Sequence, residues 1–450
     1  MRDFLAVVGI VLCIAFSLYS GISLSIGFLA AIFICALLQY GNYKWKNALF
    51  SMAKSVAEVK ILYLIIFLIG ASVSSWLAGG VVQTIMVYGL KAMLGRNVIL
   101  MTFLITAIAG FFMGTAIGTI STLGIAILGI GAAFDIPLPM LLGAAVSGAF
   151  ISDKISPLSG LMNLTLSGAG AKYSEAMKSM LVTLVPIVAI TVLFYAVIGA
   201  GYVTENSSQV GQIEASMRHV FVIHPGLLIL PLAVVGLAFS GRPSYLSIGS
   251  GVLIGILFSI FVQGTSILET LNYVIFGFQM NTGDVLLDGI LKSGGMAGMV
   301  EVILIVMGAV ALSDLMELSG MNGRLFGRHF ETVKTGNQLL IRSGFISMIM
   351  TILMCDQTAG IVLPLRILRK KGPEYGVTPA MAVRTISDTG TIIAPLMPWN
   401  INALIISGIT GIGALSFAPY AVLCAISPLV SILYLVVRPI PTIEPIQVKN

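Results

Sequence analysis

Uncharged and mostly apolar runs dominate the chain: residues 4–43, 61–90, 97–134, 179–204, 243–268 and 389–437 contain no Asp, Glu, Lys or Arg. Each is long enough to cross a bilayer, which takes about 20 apolar residues, and several are long enough to cross twice. Inside these runs apolar and polar positions do not alternate. The stretch Ile61-Leu62-Tyr63-Leu64-Ile65-Ile66-Phe67-Leu68-Ile69 is unlike the ~10-residue alternating segments of a membrane β-barrel. The pattern predicts an all-α polytopic membrane protein.

Composition agrees with that reading. Of 450 residues, 58% are hydrophobic and 9% charged, against roughly a quarter charged in soluble domains. The formal charge of +6 does not indicate a nucleic-acid partner. The Lys and Arg residues sit in short loops between apolar runs, where they set membrane orientation. With Arg2 cytoplasmic, the loop holding Lys44, Lys46, Lys54, Glu58 and Lys60 is cytoplasmic as well. The polar segment 202–218, with Glu205, Glu214 and Arg218, then falls outside. In the second half Arg242, Arg324, Arg328 and Lys334 fall inside, and Glu269, Asp284, Asp288 and Lys292 outside. Cys13, Cys35, Cys355 and Cys424 stand singly in apolar or near-apolar surroundings, which suits packing rather than a disulfide or zinc site. Arg2 and Asp3 precede an uncharged run too long for a signal-peptide core, so two retained helices are expected there.

Sliding the chain against itself reveals a weak duplication. Leu5-Ala6-Val7-Val8-Gly9 recurs as Leu232-Ala233-Val234-Val235-Gly236, and Leu24-Ser25-Ile26-Gly27 as Leu246-Ser247-Ile248-Gly249. Ile151-Ser152-Asp153 recurs as Ile386-Ser387-Asp388, followed in each half by Pro-Leu (Pro157-Leu158, Pro395-Leu396) and an asparagine (Asn163, Asn400). The loop charges start the two halves on opposite sides of the membrane. Two inverted repeats are therefore expected, 1–203 and 224–450, joined by an external linker 204–223. Such repeats are a common build of secondary transporters, with the site near the midplane where corresponding helices break.

Breaks are expected within about 97–178 and 340–410. Gly110, Gly114, Gly118, Gly124, Gly129 and Gly131 interrupt the first, with Thr115, Thr119, Ser121 and Thr122 among them. The corresponding stretch of the second half is Met354-Cys355-Asp356-Gln357-Thr358-Ala359-Gly360. A sharper pair is Asp153-Lys154-Ile155-Ser156-Pro157-Leu158-Ser159 and Asp388-Thr389-Gly390-Thr391, the latter followed by Pro395 and Pro398. Proline removes an amide donor and pushes its predecessor out of the α region, leaving backbone carbonyls free. Free carbonyls, hydroxyls, an asparagine amide and a carboxylate are hard oxygen ligands suited to an alkali cation. A charge at the bilayer centre costs about 2.5–3.5 kcal/mol on insertion scales, so Asp153, Asp356 and Asp388 call for an explanation. Either they form a cation or proton site, or they pair internally as Asp153–Lys154, Asp356–Arg366 and Asp388–Arg384. Asp314 and Glu317, beside Ser319-Gly320, read as a solvated helix end, and His219, His224 and His329 as interfacial residues. An intramembrane enzyme is not indicated, because the chain has no His-Glu-x-x-His and no histidine deep in an apolar run.

These residues resemble the NhaC-type sodium/proton antiporter family, within the wider group of ion transporters built on inverted repeats. Gly114-Thr115-Ala116-Ile117-Gly118-Thr119 is similar to its Gly-Thr-Ser-Trp-Gly-Thr, Ser152–Ser159 to its Gly-Asp-Lys-Met-Ser-Pro-Leu-Ser, and Cys355-Asp356-Gln357 to its Gly-Asp-Gln. Arg384-Thr385-Ile386-Ser387-Asp388-Thr389-Gly390-Thr391 and Pro395-Leu396-Met397-Pro398-Trp399-Asn400 match a further motif. The resemblance implies a multi-pass protein of a prokaryotic cytoplasmic membrane, N-terminus inside, in which helical hairpins and broken helices meet near the midplane. It implies exchange of sodium for protons without a cofactor, and a homodimer. Asp153 and Asp388 would hold sodium or protons, joined by Asp356, with Ser156, Ser159, Asn163, Thr389, Thr391 and Asn400 as neutral ligands. Thr115, Thr119, Gln357, Lys154 and Arg384 would support them.

The departures point to a rival. Gly160-Leu161-Met162-Asn163 stands where the family has Asp-Thr-Thr-Asn, Ala116-Ile117 replaces Ser-Trp, and Ser387 replaces a glutamate. A roomier, less acidic pocket would suit a sodium- or proton-coupled transporter of a small organic anion of the malate/lactate type, or of an amino acid. There Arg384 or a helix N-terminus would meet the solute carboxylate.

Overall fold

The computed structural model describes residues 2–203, 207–240, 242–279, 288, 291–326, 332–438 and 440. Glu205, Asp284, Arg328 and His329 lie outside the described residues. Among the described residues the regular structure is helical throughout. By length and composition seven helices can cross a membrane, or up to ten if each of three bent pairs counts as one crossing.

The chain opens with α1 (Arg2–Ser20) and α2 (Leu24–Leu38), the two helices expected from the first uncharged run. Phe4, Leu12, Phe16, Leu29, Phe33 and Leu37 are exposed along them, an apolar face that only lipid can solvate. Next come α3 (Trp45–Glu58), α4 (Lys60–Ala78) and α5 (Val81–Met93). The interrupted region follows as α6 (Val98–Met113), α7 (Ala116–Ala133), α8 (Leu138–Ala149), α9 (Ile151–Ile155) and α10 (Gly160–Ala169). The long α11 (Tyr173–Gly199) ends the first half, and α12 (Ser207–Val220) lies in the linker.

The second half begins with α13 (Ile229–Phe239), α14 (Ser244–Phe261), α15 (Ile267–Phe276) and α16 (Val300–Leu318). Its interrupted region comprises α17 (Gly336–Leu353), α18 (Gln357–Lys371), α19 (Pro379–Ile386) and α20 (Ile401–Thr410), and α21 (Val422–Val437) closes the fold. The halves interlock, since α14 lies along α4 and α16 along α2. Small residues permit this approach: a Cβ on Gly255 of α14 would stand 2.8 Å from Ser75 Oγ, and one on Gly251 3.4 Å from Trp76 Nε1.

The breaks repeat in detail. Gly114 (φ 68°) and Cys355 (φ 59°) both turn the chain through the left-handed region. Each is followed by a side chain that caps the next helix: Thr115 accepts from Gly118 N, and Asp356 from Thr358 N at 3.0 Å. Cys355 lacks glycine's freedom at such a φ, and its carbonyl accepts from Ile401 N at 3.0 Å. Ser159 and Asn400 cap α10 and α20 in the same manner, one and two residues after Pro157-Leu158 and Pro398 respectively. In lipid these caps matter more than in water, because nothing else can satisfy the freed amides. Asn97 donates to the carbonyls of Tyr195 and Ala196 at the end of α11, and Asn337 donates to those of Leu435 and Arg438 at the end of α21.

Against these landmarks the two aspartates matched in the sequence occupy different places. Gly148 of α8 packs on Thr106 of α6, and Gly390 packs on Ser347 of α17. Asp153 follows its glycine, whereas Asp388 precedes its own. The second half widens here into a π-helical turn over Ser387–Thr391 and a 3-10 turn over Ala394–Leu396, which take up the difference. Asp314 also differs from expectation: its Oδ1 accepts from Ser51 and Ser55 at 3.1 and 2.7 Å, tying α16 to α3 instead of facing water.

The glycine seams give a first prediction. A Cβ on Gly148 would collide with Thr106 Oγ1 and the Phe103 carbonyl and lie 2.8 Å from Ala107 N. Two of these atoms are backbone and cannot turn aside. Gly148→Ala is expected to cost about 1–3 kcal/mol, the usual penalty of overpacking, and to lower the melting temperature and monodisperse yield in detergent. Gly236→Ala, whose Cβ would meet nothing within 4 Å, serves as the neutral control.

Candidate functional site

A cavity of about 620 Å³ opens where the interrupted regions of the two halves meet. One wall consists of broken-helix residues: Gly114 and Thr115 at the α6–α7 turn, Asp153 on α9, Pro157–Ser159 and Asn163 around the start of α10, Gln357 and Thr358 opening α18, and Asn402 on α20. The facing wall belongs to the interlocked helices, with Ser72 and Trp76 on α4, and Arg242, Ser244 and Ser247 at the start of α14. Four helices of ten residues or more, α7, α10, α18 and α20, present their N-terminal ends to this space. Helix N-termini carry a partial positive charge, while freed carbonyls at the breaks supply oxygen ligands.

Asp153 is 8% exposed and lies at the cavity. Its Oδ1 accepts a long hydrogen bond of 3.4 Å from Ala116 N, the first amide of α7. Elsewhere along the same wall, polar groups hold one another in a fixed order. Gln357 donates to the Thr391 carbonyl at 2.6 Å, and Asn402 donates to Gln357 Oε1 at 3.0 Å and Asn400 Oδ1 at 3.1 Å. Thr391 therefore contributes its carbonyl to the network, its hydroxyl being spent on the Ser387 carbonyl.

Lys154, the next residue, points away from the cavity. Successive helical side chains diverge by about 100°, so Asp153 and Lys154 look in different directions from one short helix. Lys154 instead forms a fully buried ion pair with Asp388, with Ser427 Oγ at 3.4 Å from its ammonium. Beyond that ammonium neither carboxylate oxygen of Asp388 has a donor. The expected pairs Asp153–Lys154 and Asp388–Arg384 are thus replaced by Lys154–Asp388. Arg384 is buried and stacks on Tyr434, 4.4 Å from the ring centroid, outside the cavity lining. Asp356 is not paired with Arg366 but caps α18.

Of the candidate ligands, Asp153, Ser159, Asn163, Thr115 and Gln357 are brought together at the cavity. The others have local roles. Ser156 donates to the Phe111 carbonyl at 2.6 Å, tying the break to the α6–α7 turn, and Thr119 donates to the Thr115 carbonyl. Thr389 donates to the Thr385 carbonyl, and Asn400 caps α20.

This arrangement, a carboxylate among broken-helix oxygens inside a membrane-spanning fold, agrees with what the chain matches. The profile described as the Na+/H+ antiporter family covers residues 148–438, which include α9, both parts of the second interrupted region and the buried ion pair. The chain belongs to the Na+/H+ antiporter family. It is a transporter and not an enzyme. Similar proteins include the Na(+)/H(+) antiporter NhaC of Alkalihalophilus pseudofirmus, 29% identical over 371 residues, 82% of this chain and 80% of that protein. The malate-2H(+)/Na(+)-lactate antiporter of Bacillus subtilis is 26% identical over 426 residues, 94% and 91% of the two chains. The arginine/ornithine antiporter ArcD of Halobacterium salinarum is 28% identical over 407 residues, 89% and 84%.

The antiporter's cavity also holds residues that the motifs did not single out for the site: Ser72, Trp76, Thr358, Arg242, Ser247 and Asn402. Asp153 and Arg242 are the charged side chains among its described lining.

Proposed function

We propose that this antiporter exchanges sodium for protons at Asp153. The observation that carries the reading is the position of Asp153, the one carboxylate in the described lining of a polar cavity between the broken helices. Thr115, Ser159, Asn163 and the carbonyls freed around Gly114 and Pro157 supply the neutral oxygens beside it. Sodium and a proton cannot both occupy one carboxylate, and this competition couples the two fluxes. Lys154–Asp388 is the positioning element: it draws α9 against the π-helical turn and so holds Asp153 toward the cavity.

The paired caps, left-handed turns and asparagine ties support a build from two inverted repeats, with the segments 97–178 and 340–410 moving against the remaining helices to alternate access. We place the protein in a prokaryotic cytoplasmic membrane with its N-terminus inside. Arg369 and Lys370 at the end of α18, Lys334 before α17 and Arg438 beside Asn337 then share the cytoplasmic side, as the positive-inside rule requires. On this orientation the cavity's mouth, beside Arg242 and Ser244, would open to that side too.

Proteoliposomes given an outward proton gradient should show rapid internal alkalinisation when sodium is added, without any organic solute. Because a proton competes with sodium for one carboxyl, the apparent sodium KM should rise toward about tenfold per pH unit below that carboxyl's pKa, with Vmax unchanged. A sodium KM independent of pH between 5 and 9 would show that the ions do not share a site.

A further inference from the structure

We propose that the groove between α10 and α18 binds an anionic phospholipid, setting two headgroup phosphates on Arg366, Arg369 and Lys370 and an acyl chain along its apolar half. This site is separate from the ion cavity and does not depend on the reading of Asp153.

The groove encloses about 450 Å³ and lies beside the ion cavity, with Leu164 lining both. Its two-part character follows from the sequence. Residues four apart on a helix share a face, so α18 presents two stripes here, Val362-Arg366-Lys370 and Ile361-Leu365-Arg369. Each begins apolar and ends cationic. Opposite them α10 contributes Leu164, Ser167 and Gly168. Gly168 lets the helices close at the groove's floor, where a Cβ would stand 2.9 Å from Leu365 Cδ1. Val362 is 40% exposed, and Ser167, Arg366, Arg369 and Lys370 are exposed as well, so the groove is open to whatever surrounds the protein.

Depth matches a lipid. The first residue of α18, Gln357, lines the ion cavity, and Arg366 stands nine residues further along the same helix. At 1.5 Å per residue that is about 14 Å along the helix axis, and half of a hydrocarbon core is about 15 Å. With the cavity near the midplane, where broken helices place such sites, Val362 falls among acyl chains and the three cations at headgroup level.

Charge narrows the class. No Asp or Glu lines the groove among the described residues, and Glu374, the next acid along the chain, is not part of the lining. Neither guanidinium nor the Lys370 ammonium has an ion pair or hydrogen bond among the described residues. The C-terminal dipole of α18 supplies about half a negative charge, too little to balance them. Cations anywhere in the adjoining loop would serve membrane orientation equally well, whereas these converge on one groove with an apolar floor. Basic pockets between helices on the cytoplasmic side suit phospholipid headgroups, and a guanidinium grips a phosphate through two parallel N–H bonds. A zwitterionic headgroup brings a cation of its own. A headgroup with one phosphate leaves two of the three cations unmatched, while one with two phosphates, of the cardiolipin type, leaves only one.

The test uses the full chain in non-ionic detergent, titrated with cardiolipin, phosphatidylglycerol or phosphatidylcholine, with bound lipid counted by native mass spectrometry. Cardiolipin should bind about threefold more tightly than phosphatidylglycerol and about tenfold more tightly than phosphatidylcholine, and should raise the melting temperature. Arg366→Gln/Arg369→Gln should weaken cardiolipin binding about tenfold. Its melting temperature without lipid should stay at the wild-type value, because both side chains are exposed. Lys44→Gln/Lys46→Gln removes two exposed cations from a loop on the same side and should bind cardiolipin as wild type does. Equal binding of cardiolipin and phosphatidylcholine, or equal losses in the two double variants, would overturn the site. Saturation by inorganic phosphate or glycerol phosphate at the concentrations that cardiolipin needs would make it a site for free phosphate and overturn the lipid. Phosphatidylglycerol binding as tightly as cardiolipin would overturn the pairing with two phosphates.

Discussion

Asp153→Asn is expected to lower sodium-driven proton movement by about a hundredfold or more, equivalent to about 2.7 kcal/mol, while the protein stays folded. The substitution keeps the size and an oxygen acceptor for Ala116 N–H, so local geometry survives. It removes the negative charge that attracts sodium and the group that carries the proton, so both halves of the exchange fail together. Binding offers a second readout. A ligand that binds only the native state stabilises it by RT ln(1 + [L]/Kd), so sodium should raise the wild-type melting temperature and leave that of Asp153→Asn unchanged. A variant that transports at the wild-type rate, with the same response to sodium, would move the exchange site elsewhere.

The reason Asp153 and Asp388 both stood out in the sequence, yet take different places in the structure, is physical. A carboxylate four residues before a proline in an apolar run announces both a buried charge and a broken helix, and the structure places Asp153 at such a break. The same reasoning assigned Asp388 an equal part, because Ile-Ser-Asp recurs in both halves. Recurrence in sequence does not fix depth along a helix. The π-helical turn and the 3-10 turn insert residues between Asp388 and its break, and carry its side chain to Lys154 instead of to the cavity. Asp356 carried a readable signal, since an Asp directly before a helix is a favoured cap, but the membrane setting suggested an ion ligand first.

The facing wall lay beyond motif reasoning for a different cause. Ser72 and Trp76 belong to α4, and Arg242 and Ser247 to the start of α14, with more than 160 residues between them in the chain. Their meeting depends on how α14 docks along α4 through Gly251 and Gly255. Ser247 even lies within a repeated motif, but its sequence counterpart Ser25 is engaged with Ser23 at the start of α2. The element types, the breaks and the carboxylate wall follow from local pattern, whereas the facing wall is a product of tertiary packing alone.

Lys154→Met should be the most damaging of the conservative substitutions outside the cavity, costing about 3–5 kcal/mol, the typical penalty for leaving a buried charge without its partner. Both side chains of the pair are fully buried, and Asp388 has no other donor to fall back on. Asp388→Leu should be similarly harmful, because Lys154 would keep only Ser427 Oγ at 3.4 Å. The double variant Lys154→Met/Asp388→Leu is expected to recover most of the lost stability, since replacing both members of a buried pair by apolar groups of like volume is often neutral or better. Its transport decides what the pair does. If Lys154–Asp388 only positions α9, the double variant retains the sodium-induced rise in melting temperature and a measurable fraction of wild-type exchange, both of which Asp153→Asn loses. If it folds but neither exchanges nor responds to sodium, Asp388 carries an ion in its own right, and the exchange site spans both carboxylates with Lys154 as the charge that trades places with the cargo.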